Sequence, residues 1–300
     1  MLTLRQLEYI ISVDEERHFR KAAERVHVSQ PSLSAQIMQL EQRMGVTIFT
    51  RSKKGVFPTP VGQELIARAR KILSDVDGFK EFAERSSHPL SGRIRFGTPP
   101  TIGPYLLPHI VPKLHQKFPD LKFIVKEEMP KNIQASVENG SLDIALTPLP
   151  LLSNNLQSQI IFTERLYVGM AWDHMLSTHC YLKGSDIKGQ EVLTLTQGHH
   201  LHDQVKSICD TYGAEILYDY EGGSLDALRH MVAMGAGISF FPELYVLSEI
   251  KGRTDLCTKE ITDNNINRDI AMVWRKDNPL SEEFIKFSDL FKVQVEGLFT

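Results

Sequence analysis

The sequence predicts an α/β protein in two parts: an N-terminal part that is all-α apart from a short hairpin, and a C-terminal α/β part of two subdomains. Three observations carry this. Residues 19–44 read as two helices with a break at Val26-His27-Val28. Residues 59–88 read as one long helix with a heptad of apolar residues. Residues 91–300 alternate short apolar strands with helices.

The length of 300 residues fits two or more domains, and a chain 42% hydrophobic and 24% charged has ample material for real cores. Met1-Leu-Thr-Leu-Arg runs straight into a helix, so no signal peptide is expected, and no apolar run is long enough to cross a bilayer. Three cysteines (Cys180, Cys209, Cys257) make no disulfide framework, which points to a reducing cytoplasm. The net charge of -3 looks wrong for a nucleic-acid binder until it is divided. Residues 1–88 hold 14 Lys and Arg against 11 Asp and Glu, and the rest holds 20 against 26. The positive excess therefore lies with the paired helices.

Leu4, Leu7, Tyr9, Ile10 and Val13 give the first helix its apolar side. Ala22, Ala23 and Val26 do so for the second, and Leu33, Ile37, Leu40 and Met44 for the third. Ser29 is the expected N-cap of the third helix, with Pro31 in its first turn. The polar side of that helix carries Gln30, Ser32, Ser34, Gln36 and Gln39. These uncharged groups donate and accept at fixed geometry, as a helix reading base edges in a major groove requires. A helical hairpin packed in any small domain is the bland alternative. After Gly45, Ile48 and Phe49 start a strand, Arg51, Lys53, Lys54 and Gly55 form a basic turn, and Val56 and Phe57 return. The cationic tip suits phosphates beside a groove or is a solvated turn. Thr59 caps the long helix and Pro60 takes its first position. Leu65, Ala69, Ile72, Val76, Phe79 and Ala83 form a seam suited to dimerisation.

Beyond the Pro89 and Gly92 break, strands are expected at 93–97, 121–127, 142–147, 166–172, 192–196 and 269–275. Helices are expected after Thr101, at 133–140, over 224–237 and from Ser281. This pattern predicts mainly parallel sheets with helices on both faces, divided by a cleft. Ligands in such folds sit beyond strand C-termini. That places Thr98, Pro99, Pro100 and Thr101 on one wall, Thr147 nearby and the loop 197–203 opposite. Thr101 either offers its hydroxyl to an anion or polar ligand or simply caps a helix.

The order of these motifs resembles the LysR-type transcriptional regulators, through LRQLEYI, AAERVHVSQPSLSAQIMQLEQRMGVTIFTR and FPTPVG. The resemblance implies a winged helix-turn-helix over residues 1–58, a dimerising linker helix over 59–88 and an effector-sensing domain over 91–300 similar to periplasmic binding proteins. Subdomain I of that domain spans about 91–164 and 268–300, and subdomain II about 165–267. It also implies promoter DNA as partner, a homodimer or homotetramer, contact with RNA polymerase and no catalytic activity. By position, Gln30, Ser32, Ser34 and Gln36 would face bases, and Arg51, Lys53 and Lys54 the backbone.

TQGHHLHDQVKSIC (196–209), with TIGPYLLPHIVP and LDALRHMVAMGAG, is similar to the OxyR branch of that family, the peroxide-inducible activators. In that branch the loop carries Gly-His-Cys, then Leu-Arg-Asp-Gln, and a second cysteine nine residues after the first. Here His199, Asp203, Gln204 and Cys209 match. His200 stands at the first cysteine, His202 at the arginine and Pro130 at a threonine of the pocket, while Arg268 matches a basic residue there. An imidazole forms neither a sulfenic acid nor a disulfide. The expectation is therefore an OxyR-like regulator without the usual sensing bridge. It would be locked in one state, responsive to a small polar ligand, or responsive to a metal held by the histidines. No cofactor or metal is assigned. The rival class, an enzyme or plain ligand carrier on the two-lobed domain, lacks an assembled nucleophile, base and orienting group.

Overall fold

The computed structural model describes residues 2–52, 55–85, 92–218 and 222–299; the side chains of 51, 52, 80–85 and 92 are not among those described. The chain divides into two compact units, Met1–His88 with Glu138–Ser141, and Pro89–Val137 with Leu142–Thr300.

In the first unit, α1 (Leu4–Glu16), α2 (Phe19–Arg25) and α3 (Gln30–Met44) precede a hairpin of β1 (Phe49–Ser52) and β2 (Gly55–Pro58), and α4 (Pro60–Arg85) follows. Each start has a local cause. Thr3 and Gln6 form a capping box on α1, the Ser29 hydroxyl accepts from the Ser32 amide, and the Thr59 hydroxyl accepts from the Gly62 amide at 2.9 Å. Leu7, Ile10, Val13, Ala22, Leu33, Ile37, Leu40 and Ile48 make one core, closed by Ile66 and Ala69 of α4. Leu4 and Met44, expected on apolar faces, are exposed because each lies at an end of its helix, beyond the reach of that core.

The α4 seam is split. Leu65 and Ala69 pack into the first unit's core, while Ile72 and Phe79 are exposed, Phe79 at 76%. Ala83 lies outside the residues whose side chains are described.

The second unit carries β3 (Gly92–Thr98), α5 (Gly103–Lys117), β4 (Leu121–Glu127), α6 (Pro130–Glu138), β5 (Ile144–Pro148), β6 (Leu156–Ala171), β7 (Glu191–Leu193), α7 (His200–Tyr212), β8 (Glu215–Ile216), α8 (Leu225–Ala233) and β9 (Ile238–Pro242). Then come α9 (Glu243–Tyr245), continuing into a wide turn (Val246–Ile250), β10 (Leu256–Lys259), β11 (Asn267–Arg275) and α10 (Ser281–Glu296). Strand order is β4-β3-β5-β11-β6-β9-β7-β8, with β10 also on β6. The expectation of mainly parallel sheets is corrected. β3 pairs parallel with β4 and β5, and β7 with β8 and β9, but β11 runs antiparallel to β5 and β6, and β6 to β9 and β10. The reason is β6. Its first part pairs with β11 and its last part with β9 and β10, so one strand serves both halves of the sheet. Phe96, Trp274, Phe284, Phe287 and Phe291 anchor its core.

Candidate nucleic-acid interface and effector cleft

α3 turns about 100° per residue. Leu33, Ile37 and Leu40 therefore share one stripe, and Ala35 stands opposite it. Gln30 and Ser34 fall on one flank, Ser32 and Gln36 on the other. Gln30, Ser32, Ala35 and Gln39 are exposed, Ser34 and Gln36 half-buried. Gln36 Oε1 accepts from Gln6 Nε2 at 3.2 Å, so this glutamine is spent partly on α1. Sequence reasoning passed over Ala35 and Met38, the latter 51% exposed. A polar pattern search overlooks them, yet small apolar groups on a reading helix meet thymine methyls. Lys53 and Lys54 lie outside the described residues, as does the Arg51 side chain; the Arg51 backbone pairs with Val56 in the hairpin.

Glu41 joins α3 to the hairpin. Its Oε1 accepts from the Ile48 amide at 2.6 Å and the Phe49 amide at 3.1 Å. Glu41→Ala leaves two amides without that acceptor, so the first unit should lose about 1–3 kcal/mol. In calorimetry its transition should drop by at least about 4 °C; an unshifted transition would refute the joint.

In the second unit, Arg268 and Glu164 are register partners on β11 and β6 and are fully buried. Arg268 donates through Nε and Nη2 to Glu164 Oε1, both at 2.7 Å, and through Nη2 to the Thr101 carbonyl at 3.4 Å. Glu164 Oε2 accepts from the Leu244 amide at 2.9 Å. Four segments thus meet at one ion pair. Glu164 was missed by sequence reasoning; its signal is a lone acid inside the apolar run of β6.

Thr101 is buried, but the α5 N-cap is Ile102 and no side chain bonds there. The proposed cap is corrected: Thr101 contributes its carbonyl, because it lies one residue too early. Thr98 and Thr147 are fully buried with their hydroxyls near their own chain's next carbonyl. Pro130 is buried at the start of α6.

The stretch 196–209 is not all loop. His199 is the N-cap of α7 and His200 its first residue, so the three histidines share one turn, with His200 and His202 on opposite sides of it. His200 lies by Arg268, Asp203, Gln204 and the Leu149 carbonyl. Burial, then the Arg268 charge, lowers its pKa. Asp203 is exposed, and Gln204 Nε2 donates to the Asn267 carbonyl at 3.2 Å. His200 Nδ1, Gln204 Oε1 and Arg268 Nη1 are buried without a hydrogen-bond partner. His199 is buried, and burial, then His202, lowers its pKa. His202 faces the other way, with Nδ1 2.8 Å from the Leu195 carbonyl. Among the described residues no three His, Cys, Asp or Glu side chains gather to hold a metal.

Cys209 is buried on α7, and burial pushes its thiol up to about 11. Residues 200 and 209 are nine positions apart on one helix, a rise of about 13 Å. A disulfide needs Cα atoms within about 7 Å. With α7 intact, no bridge between these two positions is possible whatever side chain stands at 200.

The two lowered histidines set a pH dependence. Each binds a proton more weakly folded than unfolded, so below about pH 6.5 the unfolded chain takes up more protons. Unfolding free energy should be insensitive to these groups above that value and fall as pH drops below it. His200→Gln should flatten part of the fall in denaturant titrations; an identical slope would refute the burial of His200.

Comparison with known proteins identifies the family. The model of the bacterial regulatory helix-turn-helix proteins of the lysR family matches residues 4–63, and that of the LysR substrate binding domain matches residues 87–295. The DNA-binding transcriptional dual regulator OxyR of Escherichia coli is 35% identical over 298 residues, covering 99% of this chain and 97% of that protein. A hydrogen peroxide-inducible genes activator of Pectobacterium carotovorum is 35% identical over 296 residues, covering 99% and 98%. A full-length OxyR cysteine variant from Pseudomonas aeruginosa superposes with TM-score 0.81 at 33% identity, covering 98% of this chain and 95% of that one. A hydrogen peroxide-bound OxyR mutant from Corynebacterium glutamicum does so with TM-score 0.69 at 28% identity, covering 99% and 93%. The protein belongs to the LysR family of bacterial regulatory helix-turn-helix proteins and is an OxyR-like transcriptional regulator.

Proposed function

We propose that this regulator senses a small polar ligand in the cleft at Arg268 and forms no sensing disulfide. The observation that carries this is the trio of buried, unpartnered atoms: His200 Nδ1, Gln204 Oε1 and Arg268 Nη1. Buried polar groups without partners are costly, and a small donor–acceptor molecule relieves them at once. The imidazole at 200 and the raised Cys209 thiol speak against thiol chemistry. In this reading Thr98, Thr101, Thr147, His199, Asp203 and Cys209 belong to the surroundings of that pocket, while His202 faces away from it.

In this reading residues 1–58 are the winged helix-turn-helix, 59–88 the linker helix and 91–300 the effector domain, with subdomains at about 91–164 plus 268–300 and 165–267. Gln30, Ser32, Ser34 and Gln36 face bases, and Arg51, Lys53 and Lys54 phosphates. The exposed half of the α4 seam supports a homodimer, and in this reading the regulator works as a homodimer or homotetramer on promoter DNA. RNA polymerase is the further partner. No described helix is long and apolar enough to cross a membrane, which suits a cytoplasmic protein.

Treatment with hydrogen peroxide followed by disulfide mapping tests the sensing. No disulfide containing Cys209 should form, and promoter footprints should not change. A mapped Cys209 bridge would refute the reading.

A further inference from the structure

His202 is absorbed by neither the cleft nor the DNA interface. It lines a separate cavity of about 310 Å³ behind the first turn of α7, between the end of β7 and the segment after β8. Leu195, Ile216, Leu217 and Tyr218 give that cavity an apolar body. Thr196 and Gln197 also line it, and two polar residues of its wall, Thr194 and His202, are themselves buried. The Thr194 hydroxyl is buried without a hydrogen-bond partner, in a residue only 5% exposed. His202, 7% exposed, has Nδ1 2.8 Å from the Leu195 carbonyl, which only accepts, so the proton sits on Nδ1. In that tautomer Nε2 is an acceptor.

Backbone hydrogen bonds hold these walls. Leu195 bridges to Gly222, the Thr196 amide donates to the Gly222 carbonyl at 3.0 Å, and the Leu217 amide donates to the Val192 carbonyl at 2.9 Å. A cavity that sets an apolar side against buried polar groups has the character of a small-molecule site, and its volume is at the small end of that class.

We propose that this cavity binds a small hydroxylated apolar molecule of the phenol type. The ligand hydroxyl donates to His202 Nε2 and accepts from the Thr194 hydroxyl, which relieves the buried unpartnered group. The ring lies on Leu195, Ile216 and Leu217. Among the described residues the lining holds no Lys, Arg, Asp or Glu, which suits a neutral ligand. His200 and His202 project from opposite sides of the same turn, so occupation of this cavity braces the turn that carries His200.

The test uses the full chain with phenol and benzene as probes. Calorimetric titration should show saturable phenol binding, with benzene at least tenfold weaker. Thr194→Val, which keeps the side-chain shape, should weaken phenol about tenfold, the ratio that goes with one lost hydrogen bond. Ile216→Trp should fill the cavity and abolish binding. Crystals soaked in 4-iodophenol should show iodine between Thr194 and Leu217. Benzene binding as tightly as phenol, phenol affinity unchanged in both variants, or iodine only at other places would each overturn the proposal.

Discussion

Arg268→Ala is expected to destabilise the second unit by about 3–5 kcal/mol, the usual cost of removing one partner of a buried pair. The cost arises from what remains. Glu164 is fully buried, and without the guanidinium its carboxylate keeps only the Leu244 amide. An ionised carboxylate so placed either pulls water into the sheet or takes up a proton, and both reduce stability. Both tryptophans, Trp172 and Trp274, lie in this unit, so denaturant unfolding followed by their fluorescence reports on it alone. The control is Glu164→Leu with Arg268→Met, which replaces the pair by apolar groups and should recover most of the loss. A single variant as stable as the unmodified protein would show that water already reaches the pair.

That pair also shows what the sequence reveals and what it hides. α3 was legible because its signals are local: a Ser29 cap, Pro31 in the first turn, and an apolar stripe at helical spacing. β4 was legible from Leu121 to Glu127 for the same reason. Strand direction was not, because direction depends on which strand lies next door. The 16 residues of β6 serve two neighbourhoods, and only the later half reads as a buried strand. Glu164 falls where those neighbourhoods meet, and its meaning depends on Arg268, more than a hundred positions away. The start of α7 was hidden by a different cause. His199 caps it without a side-chain hydrogen bond, so no cap residue announced the helix, and the histidines read as one cluster although one turn sends them to different places. Which of these residues meet at one place was therefore legible only from the sheet.

Ala35→Glu is expected to abolish selective promoter binding, by at least about 100-fold or about 3 kcal/mol. Ala35 is exposed and stands opposite the buried stripe of α3, where a helix seated in a major groove approaches the bases most closely. A carboxylate there meets acceptor-rich base edges and phosphates without a compensating cation, and a dimer meets this twice. The same substitution costs the free protein little, within about 0.5 kcal/mol, because the position makes no core contact. Gel shifts against a specific promoter fragment and an unrelated one, at matched salt, separate lost recognition from lost phosphate contact. A milder companion sharpens the inference. Gln30→Ala with Ser34→Ala removes hydrogen-bonding groups on one flank and should cost about 1–3 kcal/mol of discrimination for each base pair read. If Ala35→Glu instead leaves the promoter shift intact in a normally melting protein, α3 is not the reading element, and the exposed polar face beginning at Gln30 serves only solubility.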